Sequence, residues 1–92
     1  MNKKKEEELD ELFIVLSNQT RRNILEKLFD TPMREAQLAN QLEVPNQEIN
    51  RHMGRLNSAK LVRINSESLR ALTSFGESIF RQLPNLSFQI IK

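Results

Sequence analysis

Gln47, Asn50, Arg51 and Arg55 lie along a stretch whose apolar residues are Ile49, Met53 and Leu56. That i, i+4, i+7 spacing marks one face of a helix, so the polar set and Gly54 must occupy the other face. A carboxamide carries a donor and an acceptor side by side, and a guanidinium carries five donors in a fixed fork. The first matches the exposed edge of adenine and the second that of guanine, each good pair discriminating by about 1–3 kcal/mol. Asn46 belongs to the opening turn of the same stretch. The bland alternative is a polar solvent face, which most helices have. The charge of the following residues favours the chemical reading. Residues 51–70 hold Arg51, Arg55, Lys60, Arg63 and Arg70 against Glu67 alone, in a chain whose net charge is +2. A local basic patch on a near-neutral protein points to a docked polyanion.

The neighbours of this set have more ordinary roles. Glu48 can pair with Arg51 or His52 at helical spacing, or accept a bond from cytosine. His52, the single histidine, lies at the edge of the apolar stripe between Ile49 and Leu56. It reads as a packed, hydrogen-bonded side chain or as a phosphate contact. With no cysteine in the chain it has no partners for a metal site. Gly54 in mid-helix costs about 1 kcal/mol relative to alanine, which a close approach of a phosphate strand or of another helix would explain. Arg21 and Arg22 open an earlier helix. Arg22 is placed to pair with Glu26, with phosphate contact as the alternative for both.

Composition removes other classes of function. Ninety-two residues with 38% hydrophobic and 28% charged content describe one ordinary globular domain. The longest apolar run is Phe13–Leu16, far short of a bilayer span. The start, three lysines followed by three glutamates, has no signal-peptide core, so the expected compartment is the cytoplasm. Zero cysteines exclude disulfides, thiolate metal sites and thiol nucleophiles. Two glycines cannot form a phosphate-cradling loop, and a serine triad would have to borrow His52. Neither an enzyme nor a cofactor is expected. Phe13, Phe29, Phe75, Phe80 and Phe88 fall at packing positions, which leaves no aromatic free to stack on single-stranded bases.

The elements that must position these residues follow from periodicity. Leu9, Leu12, Phe13 and Leu16 form the stripe of a helix over about 6–16. Asn18 caps a second helix with Ile24, Leu25, Leu28 and Phe29 inward, and Pro32 breaks it. A third helix runs over about 34–42. Pro45 disfavours helix at Val44, so Asn46 or Pro45 opens the fourth. After Lys60 the period falls to two. The runs 61–64 and 69–72 read as strands around a turn of Asn65, Ser66, Glu67 and Ser68. A two- or four-residue loop there pairs Ile64 with Leu69 and Arg63 with Arg70. Two arginines directly opposite repel, so either solvent screens the pair or a phosphate lies between them. Ser74 and Glu77 have capping-box spacing for a fifth helix, which Pro84 should end.

Several segments, in order, resemble winged helix-turn-helix regulators of the ArsR-like superfamily. Leu16-Ser17-Asn18-Gln19-Thr20-Arg21-Arg22-Asn23-Ile24-Leu25 is similar to their L-S-x-x-T-R-R-x-I-L segment. Gln37-Leu38-Ala39 followed by Ile49-Asn50-Arg51-His52-Met53 is similar to their E-L-A and V-S-R-H-L helix pair. Leu61-Val62 resembles the start of their wing, and Leu72-Thr73-Ser74-Phe75-Gly76-Glu77 their L-T-x-x-G-E entry to the last helix. The resemblance spans about residues 9–83. The chain departs from it in Pro45-Asn46, where serine is usual, in a glycine-free wing turn carrying Glu67, and in lacking the cysteines and histidines of the metal-sensing members.

The resemblance implies a mainly α fold with a small β-hairpin: a winged helix-turn-helix of five helices plus a short wing. Length allows one domain over 1–92, with a charged extension at 1–8 and an apolar tail at 84–92 flanking the resemblance. The implied function is a homodimeric transcription regulator on double-stranded DNA, with a recognition helix at about 46–57. Asn46, Gln47, Asn50, Arg51, Arg55, Lys60, Arg63 and Arg70 are then the candidate contacts, with no metal and no membrane. The dimer contact is expected from the first helix and the C-terminal segment. The alternative for that tail is packing on its own core. The alternative for the whole chain is a winged-helix module that binds protein and has no specific DNA site.

Overall fold

The computed structural model describes the backbone of residues 2–91 and the side chains of residues 2–83. Asn2 opens α1 (Lys3–Leu16), its Oδ1 accepting from the Lys5 N–H at 2.9 Å. The helix therefore begins three residues before the expected start. Asn18 caps α2 (Gln19–Asp30) through a 3.0 Å bond from the Arg21 N–H, as expected from its type and place. After Pro32 the chain forms α3 (Glu35–Leu42), where the Gln37 side chain reaches back to accept from the Arg34 N–H at 3.0 Å.

Glu43 ends α3 in the left-handed region, φ 56°, and the Val44 N–H donates to the Ala39 carbonyl at 3.0 Å. This is a Schellman closure with glutamate in the position that glycine usually takes. Pro45 then begins α4 (Asn46–Ser58). Two helices joined across this three-residue turn make a helix-turn-helix. Lys60, φ 64°, closes α4 in the same manner, the Leu61 N–H donating to the Leu56 carbonyl at 3.0 Å.

The hairpin joins β1 (Val62–Ile64) to β2 (Arg70–Leu72), antiparallel, and its register differs from the expected one by one residue. Arg63 faces Ala71 and Ile64 faces Arg70. The cause is a three-residue loop, Ser66 to Ser68, in place of an even-numbered one. The Ser68 N–H donates to the Asn65 carbonyl at 3.0 Å, and Ser68 turns left-handed at φ 63°. Asn65 Oδ1 stabilises the loop by accepting from the Glu67 and Leu69 N–H groups. Since side chains alternate along a strand, Arg63 and Arg70 stand on opposite faces and do not share a phosphate cradle. On its far side β2 meets Met33, whose N–H and carbonyl both bond to Arg70, at 3.0 and 2.7 Å.

Thr73, one residue ahead of the expected cap, opens α5 (Ser74–Ile91): the Gly76 N–H donates to its Oγ1 at 2.9 Å. The helix does not stop at Pro84. A proline withholds one N–H and strains one turn, but a helix can continue on both sides of it. The side chains of the 84–92 tail, expected either to pack on the core or to make a dimer contact, lie outside the described residues.

The core joins all four first helices and the base of the hairpin. Val15, Ile24, Leu25, Leu38, Ile49, Leu56 and Leu61 have no exposed surface. The expected stripes of α2 and α4 are thus inward, except that Phe29 is partly exposed and packs beside Phe80, ring centroids 4.8 Å apart. The first helix differs more. Leu16 is buried, but Leu9 is 40% and Phe13 54% exposed, and Phe75 across the molecule's edge is 46% exposed. Among the described residues no helix is long and apolar enough to cross a membrane.

Candidate nucleic-acid interface

On α4 the buried residues are Ile49, His52, Met53 and Leu56, while Asn46, Gln47, Asn50, Arg51, Gly54 and Arg55 are exposed. The polar face expected from spacing is therefore the solvent face of the second helix in the pair. It is held in place from below. Arg21, 9% exposed, donates from Nε to the Val15 carbonyl at 2.7 Å and from Nη2 to the Ile14 carbonyl at 3.2 Å. Its Nη1 lies 3.3 Å from His52 Nδ1. A guanidinium only donates, so Nδ1 accepts and Nε2 carries the proton. Nε2 then donates to Glu48 Oε2 at 3.3 Å. This chain of bonds ties the end of α1, the start of α2 and the middle of α4 together. Burial pulls the Arg21 pKa below its ordinary value, the nearby Arg55 charge pulls the same way, and Glu11 opposes both.

The bonds around this helix decide the readings of four side chains. His52 is the packed, hydrogen-bonded histidine. Glu48 is engaged within its own helix. Arg21 is structural, and Arg22 is too, though its Nη1 donates to the Leu16 carbonyl at 2.8 Å and not to Glu26.

The basic residues divide into two groups. Arg51 and Arg63 are exposed and make no ion pair among the described residues; Lys60 is exposed at its left-handed turn. Arg55 lies 3.9 Å from Glu11, both half exposed, a contact too open to hold the arginine firmly. Arg70 is different. Its Nε and Nη2 stand 3.0 and 2.9 Å from Glu35 Oε2, with the glutamate side chain only 17% exposed. The other oxygen, Oε1, accepts from Asn50 Nδ2 at 3.1 Å. Arg70 and Asn50, both expected to touch a polyanion, are thus brought together by an acid the sequence did not single out. Glu35 is the first residue of its helix, where an acid also complements the helix dipole; nothing local signals partners 15 and 35 residues away.

Gly54 remains without an internal reason. A Cβ placed there would meet nothing within 4 Å. Among the described residues no other helix therefore requires it. Gly54→Ala is expected to stabilise the free protein by about 1 kcal/mol, seen as a higher urea midpoint at unchanged slope. A lower midpoint would mean that the side chain is obstructed.

A family model described as a helix-turn-helix domain matches residues 16–65. In fold, the chain is similar to HlyU from Vibrio cholerae N16961, at TM-score 0.76 and 21% identity, covering 92% of this chain and 97% of that one. It is similar to a transcriptional regulator HlyU from Vibrio vulnificus CMCP6, at TM-score 0.67 and 17% identity, over 90% and 91% of the two chains. It is also similar to the transcriptional regulator BldR from Sulfolobus solfataricus, at TM-score 0.65 and 22% identity, over 78% of this chain and 59% of that one. No curated protein sequence matches the chain.

Proposed function

Because this chain belongs to the helix-turn-helix domain family and has the winged form of that fold, we propose that it is a sequence-specific, double-stranded DNA-binding transcriptional regulator acting as a homodimer. The observation that carries this reading is the exposed face of α4, with Gln47, Asn50 and Arg51 outward on a helix whose opposite face is fixed in the core. The B-DNA major groove, about 12 Å wide, admits one such helix, and residues near its N-terminus meet base edges. Arg51 is the reader of guanine and Gln47 of adenine. Asn46, Arg55, Lys60 and Arg63 hold the backbone, and Gly54 lets a phosphate strand approach closely. The dimer is supported by Leu9 and Phe13, exposed one turn apart on α1, and by Phe75, which lines one cleft with Leu9. Two copies would space their recognition helices about 34 Å apart, one turn of DNA.

A gel-shift series tests the proposal. Arg51→Ala should lose about 1–3 kcal/mol for the selected site and relax its sequence preference. Arg63→Ala should weaken all duplexes alike and reduce the salt slope by about one. If neither change weakens binding, the DNA reading fails. Sedimentation equilibrium of the free protein tests the dimer, and a monomer at tens of micromolar would remove that part. The same exposed Leu9, Phe13 and Phe75 also suit a protein-interaction module. That second reading gains if duplex affinity is no better than about 10⁻⁴ M at physiological salt.

A further inference from the structure

The geometry points to Glu35 as the residue that decides which base class Asn50 can read, an inference that rests on the DNA reading above. An ionised carboxylate only accepts hydrogen bonds. With Oε1 taken up by Asn50 Nδ2 at 3.1 Å, the Asn50 amide nitrogen is held toward Glu35 and its carbonyl oxygen is directed away. The flipped amide would set two acceptors against each other. Glu35 itself cannot swing aside, because Oε2 is gripped by Nε and Nη2 of Arg70 at 3.0 and 2.9 Å on a strand of the wing.

An unrestrained asparagine can present either end of its amide to a base. One whose nitrogen is engaged presents an acceptor in a fixed place. In the major groove that acceptor suits the amino groups of adenine and cytosine and rejects the O6 of guanine and the O4 of thymine. Glu35 is thus a positioning residue for specificity. It has a second effect, since it neutralises Arg70 and withholds that charge from the phosphates.

The test is selection of bound duplexes from a random pool by the full-length protein, with the salt dependence of affinity measured alongside. In the parent, one position per half-site should favour an amino-bearing base by roughly 5- to 100-fold, the range of one good base contact. E35Q removes the charge at constant shape and lets the Asn50 amide turn. It should flatten that position to less than about twofold, leave the other positions unchanged, and steepen the salt slope by about one as Arg70 is released. N50A should flatten the same position, and adding E35Q to it should change the preference no further. R70A keeps the Glu35 carboxylate but frees it to swing, so it should weaken the preference without abolishing it and, unlike E35Q, should not steepen the salt slope. If E35Q retains the parental consensus, the assignment of Glu35 is wrong while the DNA reading stands. If E35Q and R70A both lower affinity for every sequence equally, Glu35 is only a brace and the assignment is again wrong. If the parent selects no consensus at all, the DNA reading fails and this inference fails with it.

Discussion

Gly76→Ala is expected to destabilise the protein by about 3 kcal/mol, the upper end of what overpacking costs in a closed interior. An added Cβ would stand 2.9 Å from the Leu61 carbonyl carbon and closer still to its oxygen. These are backbone atoms, so no rotamer change relieves the contact. The Leu61 carbonyl is also committed, accepting from the Thr73 N–H at 3.0 Å, and Leu61 has no exposed surface. Thr73 in turn donates from Oγ1 to the Lys60 carbonyl at 2.6 Å while capping α5. Relief requires α5 to move away from the start of the hairpin, which breaks the cap and opens the core together. In a domain of this size each kcal/mol shifts the melting temperature by about 4–8 °C, so a fall of roughly 12–24 °C should be read by circular dichroism. A melting temperature within about 2 °C of the parent would mean that the approach of α5 to Leu61 is not tight.

The second large effect is expected at Arg21. Arg21→Ala removes the donors to the Ile14 and Val15 carbonyls and to His52 Nδ1, all at a site where only 9% of the arginine is exposed. Hydrogen bonds from a charged donor contribute about 1.5–3 kcal/mol each, and the losses overlap, so the expected cost is about 2–4 kcal/mol. Arg21→Lys should recover little of it, since one ammonium cannot span three acceptors that the planar fork reaches together. Urea denaturation measures both variants. A loss below about 0.5 kcal/mol for Arg21→Ala would show that water replaces the guanidinium without penalty.

The residues legible in the sequence are those whose structure is decided by near neighbours. Asn18 caps α2 because its side chain needs only the N–H three residues on. The faces of α2 and α4 follow from period, and the turn between α3 and α4 follows from Pro45. The hairpin register was not legible because serine, not glycine, takes the left-handed place at 68, and an odd loop moves every partner by one. The cap of α5 lies at Thr73 because its hydroxyl also meets the Lys60 carbonyl, a contact 13 residues away that spacing cannot reveal. Leu9 and Phe13 continue the stripe of α1 but extend past the edge of the core. In the candidate site, the outward set on α4 was legible from period alone. The engagement of Asn50 and Arg70 by Glu35 was not, since it depends on how three separate elements meet.

Met33 and Arg70 exchange both backbone bonds, and two residues after Met33 the same arginine is clasped by Glu35. A free two-stranded ribbon is marginally stable and would flap about its root. Here the loop end of the ladder, where Arg70 faces Ile64, is stapled to the front of the helix pair by main chain and side chain at one point. The loop of residues 65–69 extends past that staple, and Glu35 carries the connection on from Arg70 to Asn50 of α4. Under the DNA-binding proposal, a duplex pressed against the loop would act on the residue inferred to orient Asn50, linking the shape of one stretch of DNA to the letters read on another.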